Sequence, residues 1–202
     1  MASDMYVVAK IALEVIALAV TMMALLVSYK GYSGTKRPVF ARLSLAFGGL
    51  SLNFLLLFFA DILAVSGSEG ISPYLRLGAS FFEMLGFFFL AFSHMVKVYQ
   101  EQKLAAASMV VFNPAAAFKV LSLYFILYAA LETVISYSKS KSKVVLVTAV
   151  GLSSFAVQSI LSWLSEFVSY PIYYQLSSLV FQIVGVAAFS IPIWIYHRGA
   201  DS

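Results

Sequence analysis

The sequence predicts an all-α integral membrane protein with six transmembrane helices, built as two related three-helix repeats. Three observations carry this expectation. Of 202 residues, 62% are hydrophobic and 11% charged. A soluble domain has roughly a quarter charged residues, so lipid must solvate much of this surface. The apolar residues gather into six runs, roughly 6–29, 39–63, 74–97, 115–137, 144–168 and 172–196, and a spanning helix needs about 20 residues. Finally, polar positions in the second and third runs return in the fifth and sixth at constant offsets.

The first run is preceded by Asp4 and no basic segment, so it reads as a retained helix rather than a cleaved signal peptide. Lys10 and Glu14 stand four apart on it and can pair. The second run opens at Pro38, where a missing N–H costs nothing. It carries Gly49, Asn53, Leu57 and Asp61 at four-residue steps, which places them near one helix face. Gly48-Gly49 reads as a close-packing point, not a phosphate loop, because no strand or basic partner frames it. The third run, entered at Pro73, has Glu83 near its middle and His94 near its end.

The fourth run follows Pro114 and holds Glu132 near its end. The fifth repeats the second: Ser154, Gln158, Ser162 and Glu166 each lie 105 positions after Gly49, Asn53, Leu57 and Asp61. The sixth, after Pro171, repeats the third. Ser178, Gln182, Gly185 and Phe189 each lie 99 positions after Ala79, Glu83, Gly86 and Leu90. Pro192 should kink this last helix, and His197 marks its exit. Tyrosines and Trp194 cluster at run ends, as an interfacial belt does.

The repeats are expected to cover 1–103 and 104–202 and together form one membrane domain. Six spans make the second copy inverted, related to the first by a pseudo-two-fold axis in the membrane plane. Lys30, Lys36, Arg37 and Arg42 after the first span argue that this loop is cytoplasmic and the N-terminus outside. Ser28-Tyr29-Lys30 looks echoed by Ser136-Tyr137-Ser138-Lys139. Six spans then leave Lys139, Lys141 and Lys143 outside, against the charge rule. An alternative removes the conflict. If 104–118 crosses, the repeats are parallel and both basic loops are cytoplasmic.

Glu83, Asn53, Gln158 and Gln182 are the candidate site residues, lining one polar site at the repeat interface for an ion or small solute. A carboxyl at membrane depth is functional by default, because removal from water favours its neutral form and lets it exchange a proton. The plainer explanation is interhelical hydrogen bonding, which averages about 0.6 kcal/mol per bond. Asp61 and Glu166 read as hydrated groups at an interface, and Lys10, Glu14 and Glu132 as snorkelling or paired. The two histidines lie too unevenly for haem or metal ligation, and the chain has no cysteine. No nucleophile or metalloprotease motif is present, so neither an enzyme nor a cofactor is expected. The net charge of +4 sits in short loops and does not point to nucleic acid. The function expected is a small ion or solute channel or carrier of the cytoplasmic membrane. Its partners are the lipid bilayer and either other membrane subunits or a second copy. The alternative is a non-catalytic structural or sensory subunit of a membrane complex.

Overall fold

A computed structural model describes residues 2–67, 70–95, 114–165, 168 and 171–200, with side chains for 5–67, 70–93, 114–165, 168 and 171–192. All regular structure there is helical: α1 (Ala2–Thr35), α2 (Pro38–Val65), α3 (Ser72–Met95), α4 (Pro114–Ser140), α5 (Lys143–Leu164) and α6 (Pro171–Ala200). Each is long and apolar enough to cross a membrane, so the chain is a multi-pass membrane protein. Pro38, Pro114 and Pro171 open their helices, as expected. α6 continues helically past Pro192.

Each helix packs on its neighbours in the chain, and α1 closes the ring against α6. The directions follow from which residues meet. Phe81 of α3 meets Phe118 of α4, and seven residues further along both helices Phe88 meets Phe125, each pair at 5.4 Å between ring centroids. α3 and α4 are therefore parallel. Tyr6, near the start of α1, donates a hydrogen bond to Gln175, near the start of α6, so these two are parallel as well. The expected inversion is contradicted: α4, α5 and α6 run in the same directions as α1, α2 and α3. The physical reason is that α3 ends, and α4 begins, at opposite ends of the ring. Residues 96–113, with the boundary expected at 103/104 and most of the segment 104–118, lie outside the described residues.

The two hairpins lie at one end of the ring and have the same build. Lys36 (φ 56°) and Lys141 (φ 53°) both take the left-handed conformation, and the next residue, Arg37 or Ser142, is extended before its helix starts. Their N–H groups close onto Tyr32 O at 2.7 Å and Tyr137 O at 2.8 Å. Each ammonium sits 5.6 Å from the centroid of the same tyrosine's ring. Tyr32, rather than Tyr29, thus takes the place in its hairpin that Tyr137 takes in the other, 105 positions later (32 to 137).

Helix crossings match too. A Cβ on Gly86 would stand 3.1 Å from Ala46 O and 2.9 Å from Leu50 Cγ. A Cβ on Gly185 would stand 3.1 Å from Gly151 O and 2.9 Å from Phe155 Cδ1. Only glycine permits these approaches, and small residues are what bring membrane helices together.

The half of the ring nearest the hairpins is occupied by buried apolar side chains. Phe47 and Leu152, Leu50 and Phe155, Leu90 and Phe189, and Phe87 and Val186 occupy corresponding positions in the two halves, and all are buried. Each pair sets one phenylalanine against one aliphatic, so large and small side chains interdigitate as dense packing requires. Phe47 contacts Phe189 edge-on at 6.2 Å, and Phe87 contacts Phe155 at 5.4 Å, across the ring. Gly185→Leu should force α5 and α6 apart and lower stability by about 1–3 kcal/mol. Thermal unfolding in detergent, compared with Val184→Leu at a lipid-exposed neighbour (44% exposed), measures this.

Candidate functional site

In the opposite half of the ring, polar stripes replace the aromatic plug. They enclose a cavity of about 170 Å³ to which all six helices contribute. All four sequence-predicted residues line it: Asn53 from α2, Glu83 from α3, Gln158 from α5 and Gln182 from α6. The stripe logic accounts for their meeting. Residues four apart on α2 and α5 share a face, and the glycine crossings turn the faces of α3 and α6 towards them. Glu83 lies 11 residues from Ser72, about 16 Å along α3 at ~1.5 Å per residue. That is near the middle of a hydrocarbon core about 30 Å thick.

The polar groups hold one another in place. Gln158 Nε2 donates to Glu83 Oε1 at 2.9 Å. Ser159 Oγ donates to Gln158 Oε1, and Ser178 Oγ donates to Gln158 O, both at 3.2 Å. The Gln158 side chain is thus fixed with its amide towards the carboxyl. Asn53, Gln158 and Gln182 are all buried, yet Gln182 Nε2 has no hydrogen-bond partner.

Four charged lining residues, Lys10, Glu14, Arg76 and Lys119, were not foreseen as part of the site. Lys10 and Glu14 do pair, at 3.7 Å, but they line the cavity rather than snorkel. The closer partner of Lys10 is Asp61, at 2.6 Å. Asp61 is not a hydrated interfacial group: it is buried and also bonds Arg76 from α3. One carboxylate therefore ties α1, α2 and α3 together behind the cavity wall. Lys119, from the first turns of α4, reaches the same space. Glu14 is fully buried, with neither carboxyl oxygen hydrogen-bonded. Arg76 is half-exposed and marks where the cavity meets the surface.

Of the remaining expectations, Ser162 lines the cavity but Glu166 lies outside the described residues. The side chains of His94 and His197 also lie outside them. Among the described residues no three His, Cys, Asp or Glu converge as a metal site needs. Lys119 carried a sequence signal, a cation inside an apolar run. Its meaning depended on α4 being parallel to α3, which the short pattern of 104–118 did not fix.

No family model matches the chain, no curated protein matches it, and no solved structure matches it.

Asp61→Asn should destabilise the protein by about 3 kcal/mol, because it removes the closer carboxylate from Lys10 and leaves only the longer contact to Glu14. Arg76→Gln should cost less than ~1 kcal/mol, since water screens that half-exposed guanidinium. Denaturation of the two variants side by side checks the order.

Proposed function

We propose that this protein is a carrier for a small polar solute or ion, with the Glu83 cavity as its binding site. One observation carries the reading. Carboxyl, amide and cationic side chains from six different helices converge on one cavity, although most such groups on membrane helices need only a neighbour to satisfy them. A helix-packing subunit has no use for spare hydrogen-bonding capacity inside the ring, such as the Gln182 amide. The aromatic plug favours a carrier over a channel. Passage past Phe47, Phe87, Phe155 and Phe189 requires the helices to rearrange.

A parallel duplication supports such a rearrangement, because two like halves can rock about a shared site. The matched hairpins and the matched glycine crossings support that duplication. In this reading α3 ends and α4 begins on opposite sides of the membrane. Lys30, Lys36, Arg37, Arg42, Lys139, Lys141 and Lys143 then share the cytoplasmic side. Lys10, Arg76 and Lys119, at the other end, serve the cavity instead of setting topology. The charge rule that failed for an inverted repeat is satisfied. In the cysteine-free background, Lys36→Cys and Lys141→Cys should both resist an impermeant thiol reagent added to sealed cells. Labelling of one and not the other contradicts a parallel arrangement.

A sensory subunit is the second reading, favoured by the plug, which a sensor never has to open. Glu83→Gln separates the two. It copies the amide of Gln182 and preserves size. In a carrier that uses the carboxyl, pH-dependent flux in proteoliposomes falls at least about tenfold, the lower range for losing a proton-transfer group, with thermal stability nearly unchanged. Unaltered flux, or none from the wild type with any tested ion or solute, supports the sensor.

A further inference from the structure

The outer face of the first half holds a second cavity, an apolar groove of about 760 Å³ between α1, α2 and α3. Its floor is α2, where Ala41, Ser44, Gly48 and Gly49 are too small to fill the space between the flanking helices. Leu18 and Tyr32 are the most distant lining residues of α1. They are 14 positions apart, about 21 Å at ~1.5 Å per residue.

The groove ends at bilayer mid-depth on one side and at the hairpin on the other, so it covers about one leaflet, whose hydrocarbon is about 15 Å thick. A spanning partner helix would need a groove crossing the full core of about 30 Å. Charge also distinguishes the occupants. Tyr29 and Tyr32 line the hairpin end, and the exposed Lys36 ammonium lies 5.6 Å from the centre of the Tyr32 ring. Exposed Arg37 precedes the first residue of α2, and the Arg42 guanidinium lies over Phe92 at 4.6 Å. Cations at the mouth of an apolar, one-leaflet groove fit a phosphate above acyl chains.

We propose that this groove is a binding site for an anionic phospholipid of the leaflet facing the hairpins. The acyl chains lie along α2, and the headgroup phosphate meets Lys36 and Arg37. The other hairpin has a comparable charge in Lys139, Lys141 and Lys143, and it serves as the internal control.

The test is native mass spectrometry of the purified full-length protein titrated with phosphatidylglycerol or phosphatidylcholine. Wild type should retain phosphatidylglycerol selectively. Lys36→Gln with Arg37→Gln should weaken retention about fivefold per charge removed, whereas Lys139→Gln with Lys141→Gln should leave it unchanged. Gly48→Phe should abolish retention by filling the groove. A Cβ there meets only Leu25 Cδ1, at 3.9 Å, so the helix tolerates a side chain. Should that variant unfold, Leu52→Trp, from a groove-lining position 43% exposed, blocks the same space. Equal retention of both lipids, equal loss at the two hairpins, or undiminished retention in the filled groove overturns the proposal. So does a wild-type dimer that Gly48→Phe dissociates with no change in lipid retention, since the occupant is then a second copy.

Discussion

Asp61 cannot be hydrated where it stands, and the structure follows from how it is satisfied. It is buried, with Lys10 on one oxygen and Arg76 on the other. A buried charge left without a partner is costly, so its partners have to come from neighbouring helices. That requirement turns the charged faces of α1, α2 and α3 inward at one end of the ring. Glu83 and Gln158 impose the same demand on α3 and α5. The apolar faces are left to lipid, which is why so many large hydrophobic side chains stand exposed and none of them needs a further explanation.

The two halves of the ring interior divide the work. Near the hairpins, buried phenylalanine and aliphatic side chains occupy the lumen. At the other end, amides and charges leave space, because polar side chains held by mutual bonds cannot also collapse onto one another. The boundary falls between Leu50 and Asn53 on α2 and between Phe155 and Gln158 on α5, one helical turn in each case. Polarity changes at the same level on these two helices, near mid-membrane.

Much of this was legible in the sequence. The apolar runs located the six helices, prolines marked their starts, and four-residue steps placed Asn53 and Gln158 on faces that do meet. Three things were not legible. Asp61 looked interfacial because distance from a helix end does not report what a neighbouring helix brings to it. Lys119 could not be placed in the site from sequence because its neighbours depend on the direction of α4. That direction was misread because counting six spans forces α4 to start where α3 stops, and only contacts such as Phe81 with Phe118 say otherwise. In each case the missing information was tertiary: sequence periodicity gives a helix its face, but not its direction or its neighbours.

The cavity should be a polar compartment reachable by water from the N-terminal end of α1 and closed by the plug from the hairpin end. Ser80→Cys measures it most directly, because Ser80 lines the cavity between Arg76 and Glu83 and the chain has no other cysteine. In oriented vesicles a small charged thiol reagent should modify this cysteine from the N-terminal side and be excluded from the hairpin side. Phe47→Cys should stay unmodified from both sides. Modification of Ser80→Cys from neither side, or equally from both, would contradict the account.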